Sequence, residues 1–142
     1  MKMTLTLIAT ALAIQVHAGD LITEIANVES GNRAGCIGDH GLARGAWQMH
    51  REAWDDTCAR LRVSAPFQSA TNYAIAKSVA LAHLEWLNRQ FIRATHRMPT
   101  ATDSYALWNL GVGGYKKRGW DITKCPAITQ RASKRVSDSV TK

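Results

Sequence analysis

Among the acidic side chains, Glu29 stands where burial and backbone electrostatics act together. Ile22, Ile25, Ala26 and Glu29 follow one another at i, i+3, i+4 and i+7, so a helix across this stretch puts the carboxyl on its apolar face. The carboxyl also falls in the last turn, where the negative end of the helix dipole disfavours an anion. Both effects raise the pKa, and an acid that keeps its proton near neutrality can protonate a leaving oxygen, as cleavage of a glycosidic bond requires. A partly exposed structural glutamate at a helix end fits the same spacing. Asp39, in Gly38-Asp39-His40-Gly41, is good turn chemistry in which its side chain bonds local backbone. Gln48 and Asn109 are polar residues at predicted helix ends, where such side chains often satisfy backbone groups. Trp47, Trp54, Trp86 and Trp108 read as core by their helical spacing, with Trp47, beside Gln48, the best exception.

The elements that must position these residues are mainly helical. A short first helix, with Asp20 as a plausible N-cap, should end near Ser30-Gly31. Glycines at 31, 35, 38, 41 and 45 then make a stretch unsuited to a helix interior, for which an ordered loop or small hairpin is expected. Helical composition returns over about 47–61, and Pro66 marks the next break. A longer helix is expected over about 69–94, where Tyr73, Ala76, Ala80, Leu84, Leu87 and Phe91 form an apolar stripe. Asp103 can cap a further helix through Leu110, the segment Gly111-Val112-Gly113-Gly114 must turn, and Pro126 suits the first turn of a last helix. The fold class is mainly α (α+β), with the glycine-rich hairpin or loop directly after the first helix.

A chain of 142 residues holds one domain of this kind. Segment 1–18 has the form of a signal peptide, with Lys2 at its positive end, an apolar run and Val16-His17-Ala18 as a processing site, so that the mature domain occupies 19–142. An uncleaved anchor and a buried first helix are the other readings of the same stretch. Export to the periplasm or outside the cell follows from the first two. The formal charge of +7 draws such a protein to polyanions, and the run Lys116-Lys117-Arg118 concentrates it. The basic residues are otherwise scattered, with no nucleic-acid recognition motif, which leaves cell-wall polymer ahead of nucleic acid. Cys36, Cys58 and Cys125 allow at most one internal disulfide and lack the paired spacing of a zinc site, so no metal is expected.

Three strings occur in order: Val28-Glu29-Ser30-Gly31-Asn32, then Ile37-Gly38-Asp39-His40-Gly41-Leu42-Ala43-Arg44-Gly45-Ala46-Trp47-Gln48-Met49, and later Tyr105-Ala106-Leu107-Trp108-Asn109-Leu110-Gly111-Val112-Gly113-Gly114-Tyr115. Together they resemble the lysozyme-like superfamily, nearest to invertebrate-type lysozymes and their bacterial or phage-encoded relatives and more distantly lytic transglycosylases. The resemblance runs from about Leu21 to about Val136. It implies that Glu29 is the general acid, that Asp39 falls near the second carboxylate, and that Gln48 and Asn109 match cleft-lining residues. Tyr115 is a looser match, and Trp47 joins the substrate contacts as the neighbour of Gln48. The chain departs from the invertebrate-type pattern in its few cysteines and in a shorter interval between Glu29 and Asp39.

What the resemblance implies is a secreted, monomeric muramidase without cofactor, hydrolysing the β-1,4 bond between the two amino sugars of peptidoglycan, with no stable membrane insertion after processing. A lytic transglycosylase, which forms 1,6-anhydro products with a single acid/base residue, is the enzymatic alternative. A noncatalytic cationic wall-binding protein that keeps the fold is the alternative of another class.

Overall fold

The computed structural model describes residues 20–141; the leader-like segment 1–18 and the expected start at Gly19 lie outside the described residues. Five helices account for most of the described chain: α1 over 20–30, α2 (Arg51–Leu61), α3 (Tyr73–Thr95), α4 (Ala101–Lys116) and α5 (Ala127–Val140). Between α1 and α2 the chain makes a small antiparallel sheet of two-residue strands, β1 (Ile37–Gly38), β2 (Ala43–Arg44) and β3 (Met49–His50), in the order β1-β2-β3. Ile37 lies opposite Arg44, and Ala43 lies opposite His50. No helix among the described residues is long and apolar enough to cross a membrane.

Helix α1 ends where two left-handed residues, Gly31 (φ 65°) and Asn32 (φ 59°), turn the chain back, their N–H groups donating to the Asn27 and Ala26 carbonyls at 3.0 Å each. The helix expected over 47–61 begins later, at Arg51. Trp47 lies in a turn and Met49 in a strand, because Gly45 (φ 79°) and Gln48 (φ 47°) hold the left-handed region that an α-helix excludes. The long helix likewise starts at Tyr73, where the Asn72 carboxamide accepts from the Ile75 N–H, after a 3-10 turn at Phe67–Thr71. Its Ala76, Ala80, Leu84, Leu87 and Phe91 are buried along one face, as their spacing requires.

Helix α4 revises two expectations. Its N-cap is Thr100 rather than Asp103, which stands at the third position and closes a capping box with it. Gly111 (φ 70°, ψ 170°) kinks the helix, but Val112 and its neighbours resume it as far as Lys116, so the glycine run does not form a complete turn.

The core has two apolar clusters. The larger gathers Ile22 and Ile25 from α1, Trp47, Trp54, Phe67, the first half of α3, Tyr105 and Val136; the smaller gathers Leu87, Phe91, Leu107, Tyr115 and Cys125. Trp108 packs against both. Its ring meets His83 edge to face at 5.3 Å between centroids. Thr57 Oγ1 accepts from Arg60 Nη2 at 2.7 Å and lies within hydrogen-bond distance of His83 Nδ1, at 3.2 Å. Burial, reinforced by the Arg60 charge, pushes the His83 pKa down to about 4.

The folded state therefore binds a proton at His83 less readily than the unfolded chain does. Its contribution falls away as pH drops from about 6.5 toward about 4, by on the order of 2–3 kcal/mol. Urea unfolding at pH 7 and pH 4.5 should show His83→Gln losing that much less stability on acidification than the wild type. Equal losses would mean that His83 carries no part of the acid sensitivity.

Candidate active site

Glu29 occupies the last turn of α1, half-buried. Its Oε1 accepts the Tyr105 hydroxyl from α4 at 2.7 Å. Burial pushes the Glu29 carboxyl above the usual carboxylate range, and the opposing effects of the Tyr105 hydrogen bond and the nearby His50 charge do not cancel it. Tyr105 is itself buried, and burial next to Glu29 raises its own pKa, so it remains a hydrogen-bond donor at any working pH. The arrangement engages one carboxyl oxygen as the acceptor of the Tyr105 hydroxyl.

Two side chains set the height of Glu29 against the sheet. The Ser30 hydroxyl donates to the Ala46 carbonyl at 2.7 Å and accepts the Arg33 N–H at 3.0 Å. The Trp47 indole N–H donates to the Ile22 carbonyl at 2.8 Å. The glutamate-serine-glycine string therefore has a local physical cause in each residue: the acid, the hydroxyl that clamps helix to sheet, and the left-handed exit.

Asp39 lies in a 3-10 turn between β1 and β2 in which it and His40 both take left-handed backbone, at φ 47° and φ 54°. Its side chain is 53% exposed, and its Oδ2 lies 3.3 Å from His50 Nε2. His50 thus lies against Asp39 and, in its charged form, also acts on the Glu29 carboxyl.

Gln48 uses its amide nitrogen internally, donating to the carbonyls of Gly45 at 2.9 Å and Cys36 at 3.3 Å. A Cβ at Gly38 would collide with its carboxamide oxygen, so the glycine makes room for this clamp across the sheet. Asn109 is exposed on α4 and accepts the Thr129 hydroxyl of α5 at 2.7 Å, which ties these helices together.

Trp47 and Tyr115 leave the set of expected substrate contacts. Trp47 is 1% exposed, packed against the tilted ring of Tyr73 at 5.0 Å between centroids with its N–H engaged, and presents no face to a sugar. Tyr115 is also 1% exposed; its hydroxyl donates to Asp103 at 2.7 Å and its ring lies between Phe91 and Trp120 in the smaller cluster. Of the basic run, Arg118 donates to the Gly114 carbonyl at 2.8 Å, a cation at the C-terminal end of α4 where the dipole favours it.

No family model, curated protein or solved structure matches the chain. Its own side chains carry the functional reading. Two of them, Tyr105 and His50, were not singled out from sequence: Tyr105 meets Glu29 across 76 positions, and its one signal is its place at i−4 from Asn109. All three cysteines are free thiols, and among the described residues no group of three or more His, Cys, Asp or Glu is placed to hold a metal ion.

Proposed function

We propose that this chain is a lysozyme-like glycosidase that cleaves the β-1,4 bond between the amino sugars of peptidoglycan, with Glu29 as its general acid. The observation that carries the reading is the half-buried Glu29 carboxyl, held by Tyr105 at 2.7 Å and biased by burial toward its protonated form. A proton kept near neutrality is what the bridging oxygen must receive as an oxocarbenium-like centre develops on the sugar. Asp39, with His50 beside it, supplies the second carboxylate that stabilises that centre, attacks it or directs water. The order of the three sequence strings and a mainly helical fold agree with this assignment.

A lytic transglycosylase is the second reading, favoured by the left-handed turn at Asp39 and by its engagement with His50, which suit a structural carboxylate and leave Glu29 to act alone.

Mass analysis of glycan fragments separates the two. Hydrolysis should give ordinary reducing ends, and Asp39→Asn should lower the rate ~100-fold or more if Asp39 takes part in the chemistry. Fragments lighter by one water, with near-full activity in Asp39→Asn, would reassign the enzyme as a transglycosylase. A folded protein that cleaves no glycan under either assay would sink the enzymatic reading.

A further inference from the structure

Two guanidinium groups gather on one aromatic ring at the edge of the sheet. Arg44, on β2, places its guanidinium carbon 5.1 Å from the Phe67 ring centroid; Arg51, the first residue of α2, places its own at 4.9 Å from the same centroid. Phe67 is buried and its ring packs edge-on against Trp54, so the platform is fixed. Cation–π attraction orients these groups but neutralises neither of them.

Their charge is left uncompensated. Among the described residues neither Arg44 nor Arg51 forms an ion pair. Glu52 lies in the same first turn of α2 but pairs with neither. Arg51 also stands at the positive end of the helix dipole, where a cation is disfavoured and an anion welcome. The Arg44 Nε is buried and has no hydrogen-bond partner. A buried N–H without an acceptor is uncommon in a folded protein, and it leaves this guanidinium short of hydrogen-bond partners as well as of a counter-charge. Each guanidinium lies about 5 Å from the same ring centroid, and such a group binds an oxygen anion with paired, charge-assisted hydrogen bonds.

We propose that Arg44 and Arg51, oriented by Phe67, form an oxyanion-binding site that takes a carboxylate of an acidic glycan strand. Arg51 follows His50, the partner of Asp39, and Arg44 pairs with Met49 across the sheet, so the site adjoins the candidate catalytic residues. Only the choice of a glycan-borne carboxylate rests on the proposed muramidase reading; the oxyanion site rests on its own residues. Its role is to hold the strand in register, with no part in bond cleavage.

The test is calorimetric binding in a Glu29→Gln background, where turnover cannot confuse the measurement. The probes are soluble muropeptide fragments with free stem carboxylates, and the same fragments with those carboxylates amidated. The free-carboxylate fragments should bind more tightly, and Arg51→Gln, an exposed substitution, should weaken them roughly tenfold or more while leaving the amidated fragments unchanged. Arg44→Lys, which keeps the charge but removes the Nε–H, should lose part of the same preference. Equal wild-type affinity for both probes, or an Arg51→Gln protein that still discriminates fully, would overturn the glycan assignment. A titration with inorganic phosphate, followed at the Arg44 Nε–H resonance, tests the site apart from the glycan. Movement of that resonance in a protein that binds no glycan would keep the oxyanion site and remove the muramidase reading. An unmoved resonance would overturn the site itself.

Discussion

Glu29→Gln should reduce peptidoglycan cleavage by ~10²- to 10⁴-fold, the range for loss of a general acid, without unfolding the protein. Glutamine keeps an Oε1 that can accept the Tyr105 hydroxyl, so the 2.7 Å contact survives while the transferable proton is lost. The stability change has a predictable sign. Because burial raises the Glu29 pKa, the folded chain holds this proton more tightly than the unfolded chain. As pH rises through the ordinary carboxylate range, the unfolded state ionises first, and wild-type stability falls until the raised folded pKa is passed. The glutamine variant has no such loss, so it should match the wild type in acid and exceed it at neutral pH. Turnover near wild type in a protein with this melting behaviour would remove Glu29 from the chemistry.

Asp103→Ala should be strongly damaging although it lies outside the candidate active site, lowering stability by about 3 kcal/mol. The Asp103 carboxylate accepts from Arg97 Nη1 at 2.8 Å, the Thr100 N–H at 2.9 Å and the Tyr115 hydroxyl at 2.7 Å. Alanine leaves the buried Tyr115 hydroxyl without its acceptor and opens the capping box that starts α4. Burial by itself would push the Asp103 carboxyl up, but Arg97, Thr100 and Tyr115 outweigh it and hold the pKa below the usual range. Its stabilisation is therefore complete above the ordinary aspartate range and is lost as pH falls through the depressed folded value. The deficit of the variant, read from denaturant midpoints, should be largest near neutrality and shrink in strong acid. A shift of only a few tenths of a kcal/mol at pH 7 would show that the cluster is dispensable. Because Tyr105 lies two residues further along the same turn of α4, a moderate loss of activity should accompany the instability.

Which parts of this arrangement are legible in the amino-acid order follows from the range of the forces involved. Glu29 is legible because its burial is set by helical periodicity within one turn or two, and the apolar face of α3 for the same reason. Trp47 is not: beside a glutamine in a glycine-rich segment it resembles an exposed aromatic, and only the left-handed backbone at Gly45 and Gln48 turns it inward. Tyr115 was misplaced for a related reason. A glycine run predicts a turn, but one kink at Gly111 absorbs the change of direction and the helix carries Tyr115 on into the core. Asp103 reads as a cap from composition alone, yet its role depends on Arg97 and Tyr115, which come from either side of the helix start. Tyr105 acts on Glu29 by a hydrogen bond and His50 by its charge, both brought about by tertiary packing, and beyond the i−4 spacing of Tyr105 from Asn109 no local pattern announces them.

Gly45 joins two stretches of chain that no sequence pattern connects. At φ 79°, any Cβ there would run into the Ala70 carbonyl, part of the 3-10 turn that precedes α3. In the language of sequence drift, the two positions are not independent: the turn at Phe67–Thr71 can shift toward the sheet only as far as a residue without a side chain permits. Gly35, by contrast, has nothing within 4 Å of where a Cβ would stand, so its neighbourhood places no such bound on it. Neutral variation over evolutionary time would be expected to sweep through one of these glycines and stop at the other.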